Sequence, residues 1–179
     1  MKIWRIEPDV DNYDNITFVD ERDWEKFQFE YKFNGDTLKG TWSPLKVEII
    51  EEIKKSDFPS LASSALVISE RALLQLKHLL EDTTEVLPLR CEMGMYFILN
   101  VVEISDCLDR ENSSFVTFRN SNKIKEIYEC VLDSKRISHK HIFKISDQLK
   151  SYPFVSEQFK QIVEEAGLDG ILFKEIQVR

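Results

Sequence analysis

Ser156-Glu157-Gln158-Phe159-Lys160-Gln161-Ile162-Val163-Glu164-Glu165-Ala166-Gly167-Leu168-Asp169-Gly170-Ile171-Leu172-Phe173-Lys174-Glu175-Ile176 is the stretch on which the fold class turns. Phe159, Ile162, Val163 and Ala166 fall at i, i+3, i+4 and i+7, one apolar stripe along a helix. Ser156 is placed to cap it, because a serine oxygen accepts an N–H that the first turn leaves unpaired. Gly167 follows Ala166, where a left-handed residue ends a helix. Asp169-Gly170 turns the chain, and Ile171–Ile176 reads as a closing strand. The pattern predicts a helix over 157–166 that feeds directly into a strand.

A second helix is predicted upstream over 69–81. Ser69 caps it, Glu70 suits its positive end, and Ile68 and Leu73 have the spacing of a hydrophobic staple. Leu73, Leu76, Leu79 and Leu80 supply its apolar face. Between and before these helices the signals are β. Lys2–Glu7 alternates and stops at Pro8, Ile16–Val19 is a short strand, and Leu45–Ile49 alternates again. Phe27, Phe29, Tyr31 and Phe33 recur at every second position and so read as a strand with one aromatic face, followed by an Asn34-Gly35-Asp36 turn. Lys54–Pro59 reads as a polar connector. Further strands are predicted in 85–91, 95–104, 115–118, 124–132 and 142–145, with Gly94 turning between the first two. The expectation is α+β, a mostly antiparallel sheet with two principal helices. Residues 1–179 read as one domain, 1–55 being a less typical N-terminal subdomain and 56–179 the core.

The chain has 179 residues, 42% apolar and 31% charged, which is ordinary for a globular protein. Twenty-four Lys and Arg against 32 Asp and Glu give a net charge of −8. That sign argues against a nucleic-acid partner. The acid is uneven: residues 1–30 hold nine Asp/Glu and four Lys/Arg, for −5, whereas 121–150 hold seven Lys/Arg and four Asp/Glu, for +3. An acidic surface speeds encounter with a basic partner. No run approaches the ~20 apolar residues of a membrane span, and Met1–Glu7 lacks the apolar core of a secretory signal, so a cytoplasmic location is expected. Cys91, Cys107 and Cys130 form neither a disulfide framework nor a CxxC site and read as free buried thiols.

Catalytic signatures are sparse. There is no GxSxG, Walker loop, GxGxxG or HExxH. Asp109 and Glu111 would serve as an acid/base pair only if their environments separate their pKa values, and a strand-end turn stitched by Asp–Arg pairing is the plainer reading. His139 and His141, at i and i+2, face the same way on a strand but lack a third ligand; surface histidines are the plainer reading. His78 sits at a helix edge. No metal and no cofactor are expected.

Several segments, in this order, carry a resemblance: Ser56–Pro59, Ile68–Ala72, Leu87–Cys91, Tyr96–Val101, Asp106–Ser113, Ile142–Ile145, Phe154–Lys160 and Gly167–Gly170, together with Met1–Ile6. They resemble immunity family eleven, bacterial proteins encoded beside polymorphic toxins. The resemblance implies an α+β protein that binds and neutralises a cognate toxin, protecting the producing cell and its kin. It brings no catalytic residues, so the chain is expected not to be an enzyme. The alternative is a hydrolase-like enzyme that reverses a toxin's modification, using Asp109, Glu111 or the two histidines. On the leading reading, carboxylates around an aromatic anchor occlude the cationic groove of a basic, nuclease-like toxin. The candidate contacts are Asp9, Asp11, Tyr13, Asp14, Trp24, Trp42, Asp109 and Glu111. The oligomeric state is left open.

Overall fold

A computed structural model describes residues 1–61, 65–137 and 139–179. The elements are β1 (Ile3–Pro8), β2 (Asn15–Phe18), α1 (Glu21–Phe29), β3 (Val47–Glu51), β4 (Leu66–Ser69), α2 (Glu70–Leu80), β5 (Thr84–Pro88), β6 (Tyr96–Val101), β7 (Ile104–Ser105), β8 (Ser114–Thr117), β9 (Ile124–Glu129), β10 (Val131–Leu132), β11 (Ile142–Ile145), β12 (Phe154–Ser156), α3 (Glu157–Glu165) and β13 (Ile171–Val178). A single 3-10 turn spans Ser146–Gln148. None of the helices is long and apolar enough to cross a membrane.

The strands form a six-stranded sheet in the order β10-β13-β1-β12-β11-β7, a three-stranded sheet β4-β6-β5, and two ribbons, β2-β3 and β8-β9. Pairing between the named strands is antiparallel except at β10–β13 and β11–β7, so the large sheet is mixed. The class is α+β, as expected, with little helix. The N-terminal strand lies inside the large sheet. Ile3 faces Ser156 of β12 on one side and Ile176 of β13 on the other.

Three apolar clusters fill the spaces between these layers, and strand alternation distributes side chains among them. Ile6, Ile142 and Val155 leave one face of the large sheet and meet Leu66, Ile68 and Leu99 of the three-stranded sheet, with α2 and α3 packed into the same cluster. Val67, Leu87 and Ile98 leave the opposite face of the small sheet toward α1, β2 and β3. Ile3, Phe143, Phe154 and Ile176 leave the far face of the large sheet toward the β8-β9 ribbon. Because β4 and β6 are covered on both faces, they are buried almost throughout and mostly apolar, Leu66–Ile68 and Tyr96–Leu99. Trp4 ties β1 to α3: its Nε1 donates to Glu157 Oε2 at 2.5 Å, and Lys160 lies 4.8 Å from its ring.

Two helix caps are as predicted. Ser69 Oγ accepts from Ala72 N at 3.1 Å, and Ser156 Oγ accepts from Phe159 N at 3.2 Å. Gly167 has φ +60 just past α3, the left-handed stop.

The aromatic alternation at Phe27, Phe29, Tyr31 and Phe33 is not a strand. Residues 21–29 form α1, so the described residues hold three α-helices rather than two principal ones. Asp20 caps α1, accepting from Arg22 N at 2.8 Å, and Glu21 and Asp23 face its positive end. Phe27 near the end of α1 and Tyr31 just beyond it are both buried; Phe29 points away and is 67% exposed. Phe27 packs between Phe18 and Phe33, with ring centroids 5.0 and 5.1 Å away.

The predicted connector Lys54–Pro59 is likewise different at its centre: Ser56, Asp57, Phe58 and Pro59 are buried. Asp57 is their organiser. Its carboxylate accepts from Ser69 Oγ at 2.6 Å, Arg71 Nη1 at 3.2 Å and Asp169 N at 3.1 Å. Its backbone N–H donates to Asp169 O, and its carbonyl accepts from Ser69 N. Gly170, at φ +93, packs directly on Ser56, where a methyl group would collide with the serine side chain.

Lys144 is a second buried charge-bearing group. Its ammonium donates to Phe33 O at 2.8 Å and Leu149 O at 2.7 Å, tying β11 to the loop after α1.

Two stability measurements follow from these contacts. Ser69→Ala removes a cap and also strips a donor from a buried carboxylate, so it should cost about 2–4 kcal/mol in urea unfolding. Ser156→Ala should cost about 1 kcal/mol. Equal losses would mean that the Ser69–Asp57 bond contributes nothing. Burial pushes Lys144 from 10.5 down to about 8. Between those pH values the folded chain has released a proton that the unfolded chain still holds, so this group makes stability rise with pH across that window. Relative to Lys144→Met, the wild type should gain stability from pH 8 to 10.5; a flat difference would contradict this.

Candidate protein-binding surface

Residues 89–95 contain Leu89-Arg90-Cys91-Glu92-Met93-Gly94-Met95, the turn between β5 and β6. At its base, Arg90 pairs in parallel with Lys46: Arg90 N donates to Leu45 O and Val47 N to Arg90 O, both at 2.9 Å. Gly94, at φ +150, carries the chain over the tip. A tip beyond the last core pair has nothing to bury its side chains against. Met93 is therefore 60% exposed and Met95 56% exposed.

Four surface depressions, from about 270 to about 420 Å³, adjoin around this loop. One is lined by Asp14, Ile49, Glu52, Ile53 and Met93, and the next by Val19, Glu48, Glu92 and Met93. A third holds Lys54, Asp57, Arg71, Met95, Tyr96 and Asp169, and the fourth Lys46, Leu89, Cys91 and Met95. Val19 and Ile53 are exposed alongside the two methionines. The result is a set of exposed apolar side chains interleaved with charges of both signs: Glu48, Glu52 and Glu92 on one hand, Lys46, Lys54 and Lys55 on the other, with Lys46 3.2 Å from Glu92. Apolar surface rimmed by polar groups is characteristic of protein–protein contact, and methionine adapts its shape to a partner.

The third depression lies over the Asp57 network, where three of the resembling segments meet: Ser56–Pro59, Ile68–Ala72 and Gly167–Gly170. Arg71 also donates to Ala166 O at 2.9 Å and Gly167 O at 2.6 Å, closing the end of α3.

The sequence-predicted contact residues fall into four groups. Asp9, Asp11, Tyr13 and Asp14 lie on the turn between β1 and β2. Tyr13 Oη donates to Asp169 at 3.2 Å and accepts from Lys54 at 3.1 Å, and Lys54 is 3.2 Å from Asp169. Lys54 and Tyr13 together hold the Asp169 carboxyl below the usual range. This cluster borders the Met95 depression. Asp14 is buried and accepts from Ile53 N at 2.8 Å, so its carboxylate serves the fold at the rim of the Met93 depression.

Trp24 is 46% exposed on α1 and meets Phe29 edge-on at 6.3 Å. Asp23 of the same helix accepts from Lys46 N at 2.7 Å, linking α1 to the base of the methionine loop. Trp42 is half-buried. It lies 4.6 Å from the Tyr31 ring and donates to Pro88 O at 2.9 Å. Asp109 and Glu111 form the fourth group. No hydrogen bond, ion pair or ring contact joins one group directly to another among the described residues.

Asp109 accepts from Glu111 N, Asn112 N and Asn112 Nδ2, and the bond from the Asn112 side chain draws its carboxyl below the usual range. Arg110 pairs with Asp147, and Arg136 with Asp106. The turn is therefore held by Asp109 and Asn112 and not by Asp–Arg pairing within it; Arg110 and Asp106 instead tie it to Asp147 and Arg136. Glu111 is exposed. His141 Nδ1 lies 3.0 Å from Ser156 Oγ, and His78 is exposed on α2. No cluster of three or more His, Cys, Asp or Glu that could hold a metal occurs among the described residues. The three cysteines are free. Burial raises the Cys107 thiol and pushes Cys130 up to about 11, opposite to what a nucleophile needs.

Tyr13 and Trp24 were candidates from the sequence; Met93, Met95, Ile53 and Phe29, which are exposed in the structure, were not. A Met-Gly-Met turn between two apolar strands was the available signal for the two methionines. A family model described as Immunity protein family (Imm11) matches residues 36–178. No curated protein matches the chain.

Proposed function

Since the chain belongs to the Imm11 immunity protein family, we propose that it neutralises its cognate toxin with the face built around Met93 and Met95. The observation that carries this reading is the convergence of four depressions on one loop whose two methionines are exposed. Ile53 and Val19 extend the apolar contact. Tyr13 flanks it on one side, and α1 with Trp24 and Phe29 on the other. Trp42 and Asp109 are engaged within the fold and receive no direct role.

The partner we favour is a basic, nuclease-like toxin domain. A net charge of −8, with −5 in residues 1–30, supports that choice. Glu48, Glu52 and Glu92 stand beside the apolar centre, and Asp9 and Asp11 lie further out to steer encounter. Neutralisation is by occlusion: the apolar centre supplies affinity, the carboxylates occupy the toxin's cationic groove, and no bond is made or broken. Free thiols suit a reducing compartment, so the expected workplace is the cytoplasm.

Calorimetric titration with the toxin domain encoded beside this chain tests the reading. Met93→Asp with Met95→Asp should raise Kd at least ~100-fold, about 2.7 kcal/mol, while Tm stays within about 2 °C. Asp9→Lys with Asp11→Lys should slow association about tenfold at low salt and less at high salt. An unchanged Kd for the methionine pair would move the toxin to another face.

A further inference from the structure

Tyr96 opens β6 directly after the methionine loop, and its ring packs into the second apolar cluster. The residue is 3% exposed, yet its hydroxyl has no hydrogen-bond partner among the described residues. Asp14 is 8% exposed. Ile53 N occupies its Oδ1, and Oδ2 receives no hydrogen bond and no ion pair among the described residues. The side-chain polar atoms that lack a partner and are also sealed from solvent belong to Arg5, Asn100 and Asp147. Tyr96 Oη and Asp14 Oδ2 are not among them, so both open to the surface. The depression that the two residues line together has a volume of about 380 Å³.

Charge decides what fits there. Tyr96 also borders the depression over Asp57, but the Asp57 carboxylate is already met by Ser69, Arg71 and Asp169. Asp14 has one backbone N–H to set against a full negative charge. A carboxylate taken that far out of water without a cation is costly. Its field reaches the phenol: burial first, and then Cys91, Asp14 and Asp57, hold the Tyr96 hydroxyl above its usual range. The phenol therefore stays neutral and offers its oxygen as an acceptor. Lys54 borders the same depression but is held by Tyr13 and Asp169. Glu52 and Lys55, both exposed, bring one charge of each sign to the rim. Ile49, Ile53 and Met93 supply the apolar wall.

We propose that this depression is a socket for one lysine or arginine side chain of the toxin, whose cationic head donates to Asp14 Oδ2 and Tyr96 Oη while its methylene stem lies along Ile49, Ile53 and Met93. The inference rests on the toxin-binding reading of the methionine face and names the group that this face selects. An acidic side chain would meet Asp14 as a like charge, and an apolar one would leave the carboxylate and the phenol unpaired. The socket works differently from the exposed carboxylates around it. Those act at a distance and speed encounter, whereas Asp14 and Tyr96 act only on contact, so their contribution is to slow dissociation. In the unbound chain the same two groups are left unmatched, so the socket weakens the free fold slightly in exchange for its selectivity.

Calorimetric titration with the toxin domain encoded beside this chain, together with thermal unfolding of the free chain, tests this. Tyr96→Phe removes only the hydroxyl and should raise Kd about tenfold. Asp14→Asn, which can still accept from Ile53 N, should raise it about thirtyfold or more. Neither should lower the Tm of the free chain by more than about 2 °C, because each removes a group that the free fold leaves unmatched. The toxin's lysines and arginines are then changed to glutamine one at a time. One of these changes should weaken binding to the wild type and lose most of its effect against Asp14→Asn, the mark of a direct pair. If the methionine substitutions disrupt binding but Tyr96→Phe and Asp14→Asn do not, the socket is overturned and the face stands. If the methionine substitutions also have no effect, face and socket fall together. Strict additivity of every toxin change with Asp14→Asn overturns the socket as well. Should Asp14→Asn fail to fold, Tyr96→Phe decides alone: the tenfold loss supports the socket, and an unchanged Kd overturns it.

Discussion

Asp57 is 5% exposed, and a carboxylate taken that far out of water must be met by donors or it destabilises the fold. It is met by three donors from two parts of the chain: the Ser69 hydroxyl and the Arg71 guanidinium at the start of α2, and the Asp169 backbone after α3. Those bonds fix the start of α2, the end of α3 and the approach to β13 relative to one another. Arg71 reaches on to the last carbonyls of α3, and Gly170 has no side chain, which lets Ser56 sit against it. The position of β13, and with it β1 in the middle of the large sheet, follows. Removing one donor leaves a charge buried and short of a partner, which is why this network should resist substitution more strongly than a surface ion pair of similar geometry.

Local signals were read well where the physics is local. Ser69 and Ser156 cap their helices by hydrogen bonds within three residues, and Gly167 stops α3 by its own backbone conformation, so each is visible in a short window. The Phe27–Phe33 alternation failed because it straddles a helix end: Phe27 and Phe29 lie on the last turn of α1, one buried and one turned out, and Tyr31 and Phe33 follow it. Asp20 followed by Glu21 and Asp23 was the competing signal, a cap and an acidic first turn. Ser56–Pro59 failed for a different reason. Its polar residues are buried because Ser69, Arg71 and Asp169 satisfy Asp57, the last of them 112 residues away in sequence, and no short window contains all three. The candidate surface was legible in part. Tyr13 and Trp24 stood out as large aromatics among acids. The exposure of Met93 and Met95 depends on how far the β5–β6 turn projects beyond the core, which a hydrophobicity pattern does not contain.

Charge and apolar contact divide the work of recognition. Carboxylates exposed to solvent add little affinity once screened, but they act at long range and raise the encounter rate. Apolar side chains act only on contact, and determine how slowly the complex comes apart. The methionine loop combines both within one face: Glu48, Glu52 and Glu92 lie beside side chains that a partner would desolvate. Such a face requires no catalytic group, consistent with raised thiol pKa values and with an Asp109 carboxylate committed to its own turn.

Amide hydrogen exchange on the chain alone and bound to its toxin tests the central claim most directly. The account predicts slowed exchange in residues 46–55 and 89–95, with a smaller effect in α1, and none in the turn at 109–112. Protection confined to that turn or to the histidines near 140, with the methionine loop exchanging as fast as in the free chain, would contradict it.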